Sequence, residues 1–137
     1  MELVSKMAIA SVELQKAVFA VLKAGTYSVH EVVPPSTKFP YIVIGEEVLT
    51  HSNTKTNKRT VHNITIHTWS KGSSSANSKV MNNFVVQTLL KDFAVNGFNL
   101  DMATLEMQTT LKEAGADGTV FHGVNQFEIT LSENGGT

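Results

Sequence analysis

The sequence predicts an α+β fold in which two helices cover one face of a largely antiparallel sheet. Two segments carry apolar residues at three- and four-residue spacing, the period of an amphipathic helix. Five others show the apolar runs or the two-residue alternation that strands require. Their order is helix, three strands, helix, two strands, and such a chain buries its apolar surfaces as a two-layer sandwich.

The first helix is predicted over residues 5–24, with Gly25 placed just after its end. Its apolar stripe consists of Met7, Leu14, Val18, Val21 and Leu22. A first strand is predicted over residues 27–33. Pro34 and Pro35 stop this strand, because proline has no N–H to donate to a neighbouring strand.

The second strand is predicted over residues 41–49 and opens after Pro40, a position where proline is tolerated. Its first half is apolar on both faces, which is typical of a strand inside a sheet. Residues 50–60 contain no apolar side chain and are expected to form a long, mobile hairpin connection. A third strand over residues 61–69 places Ile64 and Ile66 on one face and Val61, His67 and Trp69 on the other.

The second helix is predicted over residues 76–94, with serines before it as caps and Asn96-Gly97 as its end. Its apolar stripe consists of Val80, Met81, Phe84, Val85, Thr88 and Leu89. A final hairpin turns at Asp117-Gly118. Its first strand alternates Leu105, Met107, Thr109 and Leu111 with polar residues, and its second places Phe121, Gly123, Phe127, Ile129 and Leu131 on one face. The chain is one domain over residues 1–137, with 132–137 expected to be a flexible tail.

Composition excludes several classes of function. The 11 Lys and Arg side chains nearly balance 12 Asp and Glu, whereas tight nucleic-acid binding needs clustered cations. The chain has no cysteine, so disulfide scaffolds, thiol nucleophiles and cysteine zinc sites are absent. The longest apolar stretch near the start, residues 17–22, is too short to cross a bilayer, and no signal peptide is recognisable. We expect a product that is soluble in the cytoplasm.

The histidines do not form a recognisable metal motif. His62 and His67 are five residues apart in one strand, so they point to opposite faces and cannot share an ion. The others, His30, His51 and His122, stand on separate segments without Asp or Glu at ligand spacing. We expect ordinary strand and loop histidines, and no metal or cofactor.

Catalytic arrangements are equally weak. Ser70, His122 and Asp117 can be drawn as a triad, but the chain has no Gly-x-Ser-x-Gly turn to present a serine. Glu46 and Glu47 are neighbours in a strand and therefore point apart, which prevents action on one substrate. The sequence gives no reason to expect an enzyme.

Interface residues are better candidates. If Ile64 and Ile66 face the helices, nothing covers the opposite sheet face, and Trp69 on that face either caps the core or anchors a partner. The polar connection is either a plain surface hairpin or a segment that orders on contact with a partner. Its cations are Lys55, Lys58 and Arg59. We expect them to pair with Glu46 and Glu47 of a neighbouring subunit.

Several segments together resemble the tail-completion, or tail-to-head joining, proteins of long-tailed bacteriophages and prophages. The residues that carry the resemblance are Leu14-Gln15-Lys16-Ala17-Val18-Phe19, Val33-Pro34-Pro35, Phe39-Pro40-Tyr41-Ile42-Val43-Ile44-Gly45, Ile64-Thr65-Ile66-His67-Thr68-Trp69-Ser70, Asp117-Gly118, His122-Gly123-Val124 and Phe127. The resemblance covers nearly the whole chain, with the elements in the expected order. It supplies no functional residues, and we assign Pro34, Pro35, Pro40 and Gly123 to shape alone.

The resemblance implies a structural role in the virion, with assembly in the host cytoplasm. Tail-completion proteins form a ring, commonly sixfold, at the head-proximal end of the tail tube. The ring stops tube polymerisation and presents a surface to the head-completion proteins of the connector, while DNA passes through without specific binding. The alternative is a small intracellular ligand-binding or enzymatic domain, which needs a pocket with convergent polar groups between helices and sheet.

Overall fold

The computed structural model of the chain describes residues 2–52 and 58–133, with side chains from Met7 onward. Its elements are α1 (Glu2–Lys23), β1 (Ser28–His30), β2 (Tyr41–His51), β3 (Arg59–Gly72), α2 (Ala76–Leu90), β4 (Phe98–Gly115) and β5 (Gly118–Glu133). The predicted fold class and element order are confirmed. No helix in the described part is long and apolar enough to cross a membrane.

The five strands form one sheet in the order β1-β2-β3-β5-β4. β1 pairs with β2 in parallel, and the other three pairings are antiparallel. The parallel pair requires residues 31–40 to return the chain to the start of β2. A turn at Pro34, whose carbonyl accepts hydrogen bonds from the N–H and the hydroxyl of Thr37, lies on this return.

Both helices pack on one face of the sheet and enclose the core there. β3 contributes alternate residues to this face, and β5 does the same from the neighbouring position, as the period of two requires. Each Leu or Ile side chain so buried contributes about 1.5–3 kcal/mol of transfer free energy. The fully enclosed side chains include Leu14, Val18, Leu22, Ile42, Ile66, Met81, Leu89, Phe127, Ile129 and Leu131.

Both hairpins are longer than the sequence predicts. β2 and β3 continue pairing to His51 and Thr60, and the N–H of Ser52 donates to the carbonyl of Arg59 at 3.0 Å. The centre of the connection, residues 53–57, lies outside the described residues, so its mobility stays a prediction. β5 continues to Glu133 and so includes the first two residues of the predicted tail; 134–137 lie outside the described part, and the flexible tail stays a prediction.

The second helix is shorter than predicted and faces the core differently. It ends at Leu90, and Lys91 continues in an extended conformation. Asn96-Gly97 belongs instead to a tight turn between Val95 and Phe98, where Gly97 adopts a φ of 83°. Val80 is 59 % exposed and does not belong to the buried stripe, which consists of Ser78, Met81, Asn82, Val85 and Leu89.

β4 carries two register shifts, one between Leu100 and Met102 and one between Leu105 and Met107. Each extra residue moves the following side chains to the other face of the sheet. Leu105 pairs with Phe127 on the helix side, whereas Met107, after the shift, is 41 % exposed. The predicted unbroken alternation from Leu105 is therefore wrong at this bulge.

Candidate functional site

A row of aromatic and imidazole rings crosses the sheet face that the helices leave uncovered, which we call the open face. Tyr41, Trp69 and His122 are direct cross-strand partners in β2, β3 and β5. His67 lies two residues before Trp69 on the same face of β3. These four residues form what we call the ring stack. The strand register alone brings them together, since they are far apart in the sequence.

The rings of the stack are in close contact. Trp69 and His122 lie nearly parallel, with centroids 3.9 Å apart and planes 7° from each other. Tyr41 stacks on the other side of Trp69 at 6.4 Å, and Phe39 extends the row at 5.4 Å from Tyr41. The Lys71 ammonium group lies 5.1 Å from the Phe39 ring centroid, within cation–π distance. Aromatic pairs of this kind contribute about 0.5–1.5 kcal/mol beyond the area they bury.

A chain of hydrogen bonds fixes the histidines of the stack. His67 Nε2 lies 3.0 Å from the Glu46 carboxylate, which can only accept, so this nitrogen carries the hydrogen. In a neutral His67 the Nδ1 atom is then an acceptor. It lies 2.7 Å from His122 Nε2, which therefore donates. The bonds run in one direction, from His122 through His67 to Glu46, and they hold His122 flat against Trp69.

The protonation of these groups follows from their surroundings. The pKa of His122 is lowered, chiefly because burial disfavours its charged form and also because His67 lies beside it; Glu113 and Glu46 act in the opposite direction. The pKa of Glu46 is also lowered, mainly by the hydrogen bond from His67. At neutral pH the stack therefore combines a neutral His122 with an ionised Glu46, and Glu46 is 70 % exposed.

Glu47 points to the other side of the sheet, so the two neighbouring carboxylates point apart as predicted. It lies 2.7 Å from Nδ1 of His62, a fully buried residue, and accepts a hydrogen bond from Ser11 of α1. His62 Nε2 lies 2.8 Å from the Thr60 hydroxyl. The hydrogen bond from His62 is the main reason that the pKa of Glu47 is lowered. Glu47 thus ties β2 and β3 to α1.

The predicted cations lie at the hairpin between β2 and β3. Arg59 Nε is 3.7 Å from an oxygen of Asp101 in β4, and Lys58 is exposed. Lys55 lies outside the described residues. The open face also contains a concavity of about 330 Å³ whose wall includes two carboxylates, Glu46 and Glu106. Arg59 and Lys58 thus lie at the start of β3 and just before it, and we call the concavity with Glu46 and Glu106 the acidic concavity.

The sheet separates the histidine and serine side chains that were considered for metal binding and catalysis. His62 and His67 point to opposite faces, as predicted. Ser70 lies on the helix side and His122 on the open face, so the triad that could be drawn with Asp117 does not form. Within residues 2–52 and 58–133, no three His, Asp or Glu side chains are grouped so that they could hold a metal ion.

Sequence reasoning missed the pairing of His67 with His122. The two residues are 55 positions apart, and only the β3–β5 register makes them neighbours. The usable signal lay in two segments, one that ends in His67-Thr68-Trp69-Ser70 and one that begins with Phe121-His122-Gly123-Val124. Both place a histidine on the face of the sheet that carries Trp69. The length of each hairpin would also have been needed to align them.

A second cluster that the sequence did not indicate lies under α2, on the covered face. The Thr68 hydroxyl donates to Asn82 Oδ1 at 2.6 Å, and Asn125 Nδ2 donates to the same oxygen at 3.1 Å. Asn82 Nδ2 donates to the hydroxyl of Thr110 at 3.2 Å. A Cβ at Gly123 would lie 2.1 Å from Asn82 Oδ1. The glycine leaves room for this network, in agreement with its predicted role in shape.

Comparisons with known proteins agree with the architecture. The family model described as tail completion protein gp17 matches residues 10–132. A search of curated proteins finds no match. Among solved structures, a chain of the virion of a native gene transfer agent particle matches with a TM-score of 0.77, at 20 % identity, over 90 % of this chain and 97 % of that chain. At that identity the likeness shows a shared fold. Because the family match extends from α1 to β5, the chain belongs to the tail completion protein gp17 family and is a structural component of a phage tail.

Proposed function

We propose that the chain forms a closed ring, commonly sixfold in such proteins, at the head-proximal end of the finished tail tube. There it ends tube polymerisation and joins the tail to the head connector. The observation that carries the proposal is the ring stack on a sheet face that no described element covers. Its partners are further copies of itself, the tail tube protein and a head-completion protein.

The ring stack has the properties of an interface anchor. Trp69 is held rigidly between Tyr41 and His122, so little side-chain entropy remains to be lost when a partner covers it. Tryptophan and tyrosine dominate the binding energy of many interfaces for this reason. A contact between this face and a different face of the next copy is head-to-tail, and such contacts close into rings when the rotation allows.

Charge supports the same arrangement. We propose that Lys55, Lys58 and Arg59 of one subunit contact the acidic concavity of the next, with Glu46 as the principal acceptor. Glu47 is held by His62 and Ser11, so its part is to fix the strand on which Glu46 stands. Complementary charges of this kind select the partner and its orientation more than they increase affinity.

The overall charge suits a channel for DNA. With a formal net charge of −1, a ring of these subunits has little tendency to retain the phosphate backbone. DNA would then pass through the ring without specific binding. We propose that the protein acts in the virion, after assembly in the host cytoplasm.

The test is electron microscopy of lysates from the parent phage with this gene disrupted. We expect DNA-filled heads beside unattached tails whose tube ends are ragged or overgrown. A plasmid copy of the wild-type gene should restore attachment, and a Trp69→Ala copy should not. Intact, infectious-looking particles without the gene would refute the joining role and leave the ligand-binding alternative.

A matched pair of charge variants tests the contact itself. Lys58→Glu places a carboxylate opposite the acidic concavity and should reduce attachment of tails to heads. Lys91→Glu changes an equally exposed cation beyond the end of α2 and should leave attachment unchanged. Equal effects of the two variants would show that net charge, and not the hairpin, is responsible.

A further inference from the structure

A groove of about 740 Å³ lies where β3 leads into α2, beside Phe39, the residue that extends the row of rings. A short segment that projects into solvent, Glu31-Val32, lies elsewhere on the chain, after β1. We propose that the groove of each copy receives Glu31-Val32 of a neighbouring copy. This contact rests on the proposed function, because it names a second contact between the copies of the ring.

The walls of the groove are largely apolar, although Met81 in the lining is itself buried. Phe39 and Pro40 form one side, and Met81 and Val80 of α2 form the other. Val80 is 59 % exposed although it stands within the apolar pattern of the helix. An apolar side chain left open in a concave site is typical of a surface that a partner covers.

The floor of the groove contains an unsatisfied polar group. Ser70 is only 3 % exposed, and its hydroxyl has no hydrogen-bond partner among the described residues. The hydroxyl oxygen is enclosed, so an occupant of the groove meets the walls around Ser70 and not this oxygen. Lys38 stands at the rim and favours an anionic occupant, whereas Lys71 beside it lies 3.9 Å from Asp117 of its own chain.

The segment after β1 has the complementary chemistry. Val32 is 83 % exposed, which makes it the most exposed large apolar side chain in the described part of the chain. Glu31 beside it is exposed and offers carboxylate oxygens as acceptors. An apolar side chain next to a carboxylate matches apolar walls with Lys38 beside them.

The two features do not meet within one copy. Val32 is in solvent, and the groove is lined from the same loop only by Thr37, Lys38, Phe39 and Pro40. Two different patches that fit each other make a head-to-tail contact, which generates a ring when it closes. A second copy of this chain is therefore the occupant that the surface favours.

The absence of cysteine makes the contact directly testable. A Val32→Cys, Val80→Cys chain replaces the wild type in the phage, and purified tails are treated with a short bismaleimide. We expect a ladder of covalent oligomers up to the complete ring. Each single variant should give no ladder. A Val12→Cys, Val80→Cys chain is the matched control, because Val12 is 51 % exposed but lies on α1, outside both proposed contacts.

A charge exchange gives an independent measurement in uncrosslinked protein. Glu31→Lys and Lys38→Glu should each weaken self-association about tenfold, and the double exchange should restore it. Tails that end normally and contain the protein, but give neither the ladder nor the rescue, would overturn this contact while leaving the ring intact. Tails that lack wild-type protein at their head-proximal end would refute the proposed function and this contact with it.

Discussion

On the face that the helices cover, polar side chains are enclosed and hydrogen-bonded to one another, whereas on the open face the rings and carboxylates remain partly in solvent. Asn82 of α2 and Asn125 of β5 are fully buried between the helix and the sheet, where Asn82 Oδ1 accepts hydrogen bonds from both Thr68 and Asn125. Trp69 and His122 are half-buried and contact each other across the strands. Both clusters depend on the same strand register, since β3 and β5 supply residues to each.

This difference indicates that one face of the sheet supports folding stability and the other supports contacts with partners. A buried amide that loses a partner keeps its desolvation cost, so changes on the covered face should unfold the protein. A half-exposed ring can return to water, so changes on the open face should affect contacts with partners more than folding. Substitutions on the covered face should therefore lower the free energy of unfolding more than substitutions on the open face.

Gly123→Ala should have the largest effect, lowering the free energy of unfolding by about 3 kcal/mol. Its new Cβ would lie 2.1 Å from Asn82 Oδ1 and 2.2 Å from Thr68 Oγ1, so the network must break or the strand must shift. Urea unfolding measures the change. Gly72→Ala in β3, whose Cβ would meet nothing closer than 3.9 Å, is the control and should change stability by less than about 0.5 kcal/mol. Equal losses would contradict the comparison.

Asn82→Ala should lower the free energy of unfolding by about 2 kcal/mol, because Thr68 and Asn125 lose a shared acceptor. Asn83→Ala, one position along the helix and exposed, should be nearly neutral. The alanine also frees the space that a Cβ at Gly123 needs. The double variant should therefore lose less stability than the sum of the two single variants, and strict additivity would contradict the shared network.

Glu47→Gln and Glu46→Gln compare neighbouring carboxylates on the two faces. We expect a loss of about 1–2 kcal/mol at Glu47, which faces the buried His62, and less than about 0.5 kcal/mol at the exposed Glu46. Urea unfolding at neutral pH measures both changes. A larger loss at Glu46 would contradict the assignment of stability to the covered face.

The ionisation of Glu47 makes the free energy of unfolding depend on pH. The folded-state pKa of Glu47 is lowered, so its contribution is present above the unfolded-state pKa and is lost as pH falls through the folded-state pKa. Unfolding curves measured at several acidic pH values should show this loss in the wild type, and Glu47→Gln should remove that part of it. An unchanged acid dependence in the variant would mean that other carboxylates are responsible.

The smallest effect is expected on the open face, where Trp69 is the single tryptophan of the chain and reports on His122. The pKa of His122 is lowered, so its protonation, and the quenching of Trp69 fluorescence by the imidazolium, should occur below about pH 6.5. The unfolded chain binds this proton more readily, so acidification through this range lowers stability. His122→Gln should abolish the transition and His51→Gln should preserve it.

Much of the fold follows from local pattern. The alternation of Ile64 and Ile66 with His67 and Trp69 assigned the two faces of β3 correctly, because the period of a strand does not depend on its partners. The helical spacing of Leu14, Val18 and Leu22 was equally informative. Pattern failed at Val80 and after Leu105, where a polar helix face and a bulge broke the apolar rule.

The candidate site was predicted only in outline. The sequence placed Trp69 on an uncovered face and separated Glu46 from Glu47, and both are observed. It did not pair His67 with His122, because the register between β3 and β5 is set by how both hairpins end and pack. It also treated Asn82 as unremarkable, since a buried amide looks like a surface residue until its partners are known.

The elements, their order and the two faces of β3 could be predicted from local sequence pattern, because helical and strand periods are local properties of the chain. Two groups of neighbours far apart in the sequence are visible only in the tertiary structure. They are the ring stack on the open face and the amide network between α2 and the sheet. Those neighbours depend on strand register and on two bulges, which the whole sheet fixes cooperatively. The contacts that we propose between copies depend on this three-dimensional arrangement.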